Sequence, residues 1–323
     1  MNAVEKKFLE HCQKRKLFSK NERVLLALSG GADSVALLCL LSAIQPVLKL
    51  TLAAAHCNFG LRGTASDGDE TFCKKLCAKR NIPLFSTRFE TKRIAAERKT
   101  SLEETARNLR YAYFEEIAET HNFTKITTAH HADDNVETIL FNLSRGSSIL
   151  GLSGIAEQRG SIVRPMLYLS RTDILDYLKS RRQRYRTDAS NFSDDFDRNF
   201  IRLRVIPLLE KRFKHKLSAN LLRLAANVTE LAAFLDEHLE QLAQKKTLDL
   251  AQGRFQVADL KSLTPFEQKE LFKRALKRFS IEPNATLLGD LVHLLQTQSG
   301  RKIVVSPALQ VHWKGKEILF VKT

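Results

Sequence analysis

The sequence predicts an α/β fold built on a parallel sheet, and three observations predict it. Between residues 24 and 144, short apolar runs alternate with stretches of helical period, the pattern of strands joined by helical crossovers. The first apolar run, VLLAL (24–28), breaks into Ser-Gly-Gly before the chain turns apolar again. After about residue 165 the pattern changes to basic helices and then to short strands. A catalytic domain is therefore expected over 1–215. A helical linker and a small α+β unit are expected over 216–323, consistent with a chain of 323 residues that is 43% apolar.

Taken in order, VLLAL is short, apolar and followed by glycines, so it reads as a buried strand. VALLCLLSA (35–43) reads as a buried helix ending near Pro46. KLTLAAAH (49–56) is a second strand, residues 68–80 are helical, and IPLFSTRF (82–89) is a third strand. Residues 101–122 have a helical period, opened by the capping-box pattern Ser101-Leu-Glu-Glu104. KITTAH (125–130) is a fourth strand, with a helix over 133–144 behind it. Residues 170–182 and 198–213 read as basic helices around the polar loop TDASNFSDDFD. Leucines 221, 222, 224, 231, 235, 239 and 242 mark a long helix over 218–244. Beyond it come helices near 264–279 and 284–296, then strands KIVVS, ALQVHW and EILFVK.

Lys+Arg number 52 against 36 Asp+Glu, a formal net charge of +16. Such an excess points to a polyanionic partner, and RNA is the expected one. No apolar run approaches the roughly 20 residues that cross a bilayer, and MNAVEKKFLEHCQKRKLF is too charged for a signal peptide. Five sparse cysteines suit a reducing cytoplasm. Cys73 and Cys77, four apart on a helix, read as ordinary thiols, because no further ligands stand at metal-site spacing.

The loop Ser29-Gly30-Gly31-Ala32-Asp33-Ser34 is a physically sensible anion site. Glycines let the backbone approach a ligand, the following helix start offers free N–H groups, and the serines add hydroxyls. Neither G-x-x-x-x-G-K-[ST] nor G-x-G-x-x-G is present there. Asp33 is repulsive to phosphate unless a cation bridges them, which suggests Mg²⁺ or an ammonium group. The plainer alternative is a glycine-rich turn with Asp33 as a helix N-terminal residue.

S-G-G-x-D-S after an apolar strand resembles the pyrophosphate-binding loop of the PP-loop, or N-type, ATP pyrophosphatases. The resemblance implies an adenine nucleotide alpha hydrolase-like fold, ATP cleaved between its α and β phosphates, and adenylation of a substrate oxygen. Four further stretches, HCNFGLRGTASDGDETF (56–72), EETARNLRYAYF (103–114), TAHHADDNVETILFNLSRG (128–146) and DASNFSDDFDRNFIRLRVIPLL (188–209), resemble one branch, the tRNA(Ile)-lysidine synthases. Cys57 and Phe59 stand where that branch often has Val and His, and neither reads as catalytic. The resemblance implies adenylation of C2–O of the wobble cytidine in a CAU anticodon, followed by attack of the ε-amine of free lysine. It also implies Arg202 near the α-phosphate.

The residues suit that chemistry. A lysine ammonium needs carboxylates to bind it and a base to deprotonate it. Asp134 and Glu137 share one helix face after His130 and His131, where open α/β sheets bind ligands. Arg107 and Arg110 share another face and reach either phosphate and cytosine or Glu103 and Glu104; Arg198 and Arg202 lie one turn apart. Segment 179–216 carries twelve basic residues against five acids, and Lys273, Arg274, Lys277 and Arg278 form a second basic cluster, both expected to meet tRNA phosphates. Tyr111, Tyr113 and Phe114 are candidate base stackers or core. The expected cofactors are ATP and Mg²⁺, the expected partners tRNA(Ile) and L-lysine without a membrane, and a homodimer is possible. Competing readings are a PP-loop tRNA thiolase, which the missing C-x-x-C disfavours, a non-catalytic RNA-binding module, and a nucleotide or NAD synthetase.

Overall fold

The computed structural model describes residues 1–187, 197–213, 216–246 and 248–322. Most of the expected polar loop, 188–196, and Lys214 of the basic segment therefore lie outside the described residues. The chain divides into two compact units, Met1–Val228 and Thr229–Thr323.

The first unit opens with α1 (Ala3–Lys14), an element the sequence reading passed over as merely charged. Asn2 and Glu5 form a capping box at its start, and Phe8 and Cys12, one turn apart, are buried. There follow β1 (Arg23–Ala27), α2 (Ala32–Leu48), β2 (Thr51–Asn58), α3 (Thr64–Ala78), β3 (Leu84–Arg88), α4 (Thr91–Arg98), α5 (Leu102–Thr120), β4 (Lys125–Thr127) and α6 (Ala132–Ser144). After a 3₁₀ turn come the short strands β5 (Gln158–Arg159) and β6 (Ile162–Val163), then α7 (Arg171–Ser180).

The sheet order is β3-β2-β1-β4-β6-β5. All neighbours are parallel except β5 and β6, which add an antiparallel edge that the sequence reading did not anticipate. Residues of β1 alternate between two cores. Val24 and Leu26 pack with α1 and α2, whereas Leu25 joins Ala53, Phe114, Phe123 and Ile126 beneath α5. Both faces of β1 are thus buried, which is why its sequence reads as an unbroken apolar run.

Three expectations need adjustment. α2 ends near Pro46 as expected, but at Leu48, so that the proline lies inside its last turn rather than stopping it. The proline removes one N–H in the last turn only, while Ile44 and Leu48 are buried in the core, and that burial outweighs the lost bond. Lys49 in the left-handed conformation then closes the helix through its N–H to the Gln45 carbonyl. The expected helix over 198–213 is three pieces, α8 (Asp197–Phe200), a π turn (Ile201–Val205) and α9 (Ile206–Phe213). Pro207 has no N–H for the preceding turn, and the wider turn precedes it. At Ser101 only half of the capping box forms, the Ser101 hydroxyl accepting from the Glu104 N–H at 3.1 Å.

α10 (Leu217–Lys245) spans the boundary between the units. The second unit adds β7 (Arg254–Gln256), α11 (Val257–Lys261), α12 (Pro265–Arg278), α13 (Ala285–Leu294), β8 (Lys302–Ser306), β9 (Leu309–Lys314) and β10 (Glu317–Lys322). Its sheet is antiparallel in the order β7-β10-β9-β8, one strand more than the three expected, and it packs on Phe255, Phe272, Leu276 and Trp313. No helix among the described residues is long and apolar enough to cross a membrane.

Candidate active site

The strand order reverses at β1 and β4, so a crevice opens beyond their carboxyl ends. The loop 29–34 fills one side of it. Gly30 sits at φ +90°, a backbone conformation that favours glycine, and a Cβ there would also stand in tight contact, 3.3 Å, with the Cys73 sulfur. Gly31 has an ordinary φ of −70° and caps α2 without any side-chain hydrogen bond, which leaves the first-turn amides of α2 without a side-chain cap. Ser34 Oγ accepts the N–H groups of Ser29 and Gly30, each at 3.2 Å, and donates to the Gly31 carbonyl at 3.0 Å. The serine hydroxyl thus fixes the curl of the loop from inside.

The loop separates two cavities. The larger, about 380 Å³, is walled by Ala27, Leu28 and Ser29 at the end of β1, Cys57 and Phe59 at the end of β2, Arg110, Tyr111 and Phe114 of α5, and Thr128, His130 and Asp134. Asp33 and Ser34 complete it. The smaller, about 240 Å³, is walled by Gly31, Ala32, Arg62, Asp69, Arg171 and Arg186, and shares Ser29 and Asp33 with the first.

The two adjacent histidines have opposite characters. Burial, reinforced by Arg164, Arg107 and Arg198, pushes His130 down to about 3, so it is a neutral ring; its Nδ1 lies 2.9 Å from the Thr128 hydroxyl. Burial also opposes charge on His131, but Asp133, Asp134 and Asp33, with carboxylate oxygens 3.5–3.8 Å from its nitrogens, outweigh it and raise its pKa. Asp134 accepts the His131 N–H at 2.9 Å, capping α6, and burial raises its pKa. Burial, then repulsion from Asp134, raises Glu137 to about 7. Glu137 Oε1 is buried without a hydrogen-bond partner and lies 3.6 Å from Arg202.

The other expected residues divide by partner. Arg202 also donates to Asn199 at 2.7 Å, and Arg198 lies over the Phe141 ring. Arg110 stacks over Phe59 and Arg107 over Tyr111; among the described residues neither forms the ion pair with Glu103 or Glu104 that sequence spacing allowed. Phe114 and Tyr111 line the larger cavity, while Tyr113 packs edge-on against Phe89. In the second unit, Lys273 pairs with Glu270 and Arg274 with Asp236, whereas Lys277 and Arg278 are exposed. Asp33 is held by the guanidinium of Arg171, whose backbone N–H donates to Asp133 at 2.8 Å.

Sequence reading passed over Arg171, took in Arg62 and Asp69 only as part of the stretch 56–72 and Arg186 only as part of the basic segment 179–216, without giving any of them a role in the site, and set aside Cys57 and Phe59, which line the cavity. For a metal, no three or more His, Cys, Asp or Glu side chains among the described residues are grouped so that they could hold an ion by themselves. Two carboxylates, Asp33 and Asp134, do face one cavity. That number suits Mg²⁺ when phosphates supply further oxygens, as this cation keeps few protein ligands.

Comparison with known proteins narrows the reading. Residues 1–209 match the family model described as the PP-loop domain. The tRNA(Ile)-lysidine synthase of Chlorobaculum tepidum is 45% identical over 312 residues, covering 96% of this chain and 94% of that protein. The tRNA(Ile)-lysidine synthase of Bacteroides thetaiotaomicron is 45% identical over 208 residues, 64% of this chain but only 48% of that longer protein. Among solved structures, the U34-tRNA thiolase NcsA from Methanococcus maripaludis with its [4Fe-4S] cluster superposes with a TM-score of 0.56 at 17% identity. That match covers 70% of this chain and 79% of the thiolase, a likeness of fold.

Proposed function

The chain belongs to the tRNA(Ile)-lysidine synthases, ATP-dependent ligases of the PP-loop family, and from that premise we propose how its residues divide the reaction. The substrates are ATP, free L-lysine and tRNA(Ile) with a CAU anticodon. C2–O of the wobble cytidine attacks the α-phosphorus and pyrophosphate leaves; the lysine ε-amine then attacks C2 and AMP leaves with the oxygen.

The loop 29–34 and the open end of α2 grip the phosphates, because uncapped N–H groups and the helix dipole favour anions. The larger cavity takes the adenosine and the splayed-out base, with Phe59, Arg110 and Tyr111 as stacking surfaces. Asp33 would hold Mg²⁺, which would supply charge neutralisation for the phosphates. Arg202 stabilises negative charge developing on the α-phosphoryl group.

Asp134 and Glu137 bind the lysine ammonium. With its pKa near 7, Glu137 accepts a proton from that ammonium at neutral pH without releasing it to a distant base. His130, held neutral, presents a hydrogen-bonding ring to the same cavity rather than a competing cation. Lys277, Arg278 and the basic segment before α10 serve tRNA phosphates.

The observation that carries this reading is the convergence of Ser29, Asp33, Ser34, His130 and Asp134 on one cavity at the strand-order reversal. A thiolase reading is poorly served by the cysteines. Burial pushes Cys12, Cys57 and Cys73 up to about 12 and Cys77 to about 11, so none is a thiolate at neutral pH. The test is nucleoside mass analysis of CAU-anticodon tRNA after incubation with the protein, ATP and lysine. Cytidine should gain the mass of lysine less water, with stoichiometric AMP and pyrophosphate; unmodified cytidine with all co-substrates present refutes the assignment.

A further inference from the structure

The smaller cavity is not needed to explain the adenosine or the base, yet it is built with care. Three guanidinium groups, Arg62 before α3, Arg171 at the start of α7 and Arg186 beyond its end, line it, with two carboxylates, Asp33 and Asp69. The α2 end contributes Gly31 and Ala32 to the same wall. Its volume of about 240 Å³ equals on the order of eight waters at ~30 Å³ each.

Asp69 is the organising group. It is buried on α3, and its two oxygens take different arginines: Oδ2 accepts from Arg62 Nη2 at 2.6 Å, Oδ1 from Arg186 Nε at 2.8 Å. Arg186 is fixed a second time, its backbone N–H donating to the Gly30 carbonyl at 2.9 Å. One carboxylate therefore holds two guanidinium groups side by side, against their mutual repulsion, and ties both to the glycine loop. The bond from Arg186 uses Nε, and a guanidinium carries five donors in a fork, so its terminal nitrogens remain to meet an oxyanion.

We infer that Asp69 is the positioning residue of a separate diphosphate compartment, formed by Arg62, Arg171 and Arg186 on the side of the loop away from the base-activation cavity. This rests on the proposed ATP chemistry for its ligand but not on the acceptor. The shared wall, Ser29 and Asp33, marks where the bond between the α and β phosphates lies. The α-phosphate stays with the adenosine and the diphosphate sits across the loop. Each product then has its own room, and AMP and pyrophosphate are held independently.

The test is calorimetric titration of the full-length protein with inorganic pyrophosphate and, separately, with AMP. Asp69→Asn should weaken pyrophosphate binding at least tenfold and leave AMP binding within twofold. Asp69→Glu should recover part of the loss. Arg186→Gln, which keeps the backbone tie to Gly30, should reproduce the selective loss if Asp69→Asn does not fold. Saturating pyrophosphate should leave AMP affinity within twofold in the wild type. Unchanged pyrophosphate affinity in both variants, equal loss of AMP and pyrophosphate, or competition between the two ligands would overturn the inference. Failure of the lysidine assay with the selective loss intact would instead remove the proposed acceptor chemistry and leave the compartment standing.

Discussion

The helices α2 and α6 start at equivalent places, each after a central strand at the strand-order reversal, yet their ends are prepared for opposite charges. α2 begins on Gly31 with no side chain over its amides, and the one carboxylate of its first turn, Asp33, is engaged by Arg171. α6 begins with Asp134 accepting the His131 N–H and with the carboxylates of Asp133 and Asp134 both beside the His131 ring, so acidic side chains already occupy its end. A bare helix end attracts an anion, and a filled one presents carboxylates that attract a cation. One backbone device, used after each of two adjacent parallel strands, thus gives a phosphate side and an ammonium side to one cavity.

The sharpest way to break the contrast is at the bare end. Gly30→Ala places a Cβ 3.3 Å from the Cys73 sulfur at φ +90°, which costs roughly 1–3 kcal/mol of strain and displaces the amides from the phosphates. Lysine- and tRNA-dependent pyrophosphate release should fall about 100-fold. Gly31→Ala, at φ −70° with its nearest neighbour at 3.5 Å, should cost about 10-fold or less. Equal effects would mean that the loop's curl does not matter. At the filled end, Asp134→Asn keeps the cap on the His131 N–H but removes the charge. Loss of one charged hydrogen bond, about 1.5–3 kcal/mol, raises the KM for lysine some 10- to 100-fold, with the KM for ATP within twofold. A parallel rise in both constants would show that the two ends are not separate.

A smaller effect reads the ammonium side by pH. The folded protein keeps a proton on Glu137 up to about 7, whereas the unfolded chain releases it near 4.5. More protons are bound in the folded state across that window, so the stability of the ligand-free protein falls as pH rises from about 4.5 through 7. Glu137→Gln should remove that slope and stabilise the ligand-free protein at pH 8 by on the order of 1–3 kcal/mol, read from urea unfolding. As the proposed proton acceptor, Glu137 also gives lysine transfer a rise with pH across the same interval, which the Gln variant should lack. A wild-type stability curve that is flat from pH 5 to 8 would mean Glu137 is ionised throughout.

The contrast between the two helix ends was only half legible in the sequence. Strand, glycine pair and apolar helix announce a bare helix end by local composition alone, so β1, the loop and α2 are read from one window. The alternation over 24–144 likewise foretold a parallel sheet, since both faces of β1 are buried. His130 and His131 look alike in sequence, and only tertiary burial and three carboxylates from the first turns of two helices make one neutral and the other favour charge. Arg62, Asp69, Arg171 and Arg186 are separated by up to 124 positions, and no period links them; strand order alone brings them to one wall. α1 was legible and was passed over: Asn2, Glu5, Phe8 and Cys12 spell a capped amphipathic helix inside a run whose charge drew the eye.

The smallest expected effect lies outside both helix ends and checks that the contrast is confined to them. In α12, Lys273 and Arg274 are already paired with Glu270 and Asp236, so the fourfold basic cluster reduces to two exposed side chains, Lys277 and Arg278. Removing two phosphate contacts should flatten the slope of log K for tRNA binding against log salt by about 1.4–1.8, as each contact contributes roughly 0.7–0.9. Lys277→Ala with Arg278→Ala should do this while the KM values for ATP and lysine stay within twofold. Lys273→Ala with Arg274→Ala should change the slope by much less, because those charges are partly neutralised before RNA arrives. If the paired residues flatten the slope as much as the exposed ones, the internal ion pairs yield to phosphate and charge count alone governs that surface; if neither does, α12 takes no part in tRNA binding.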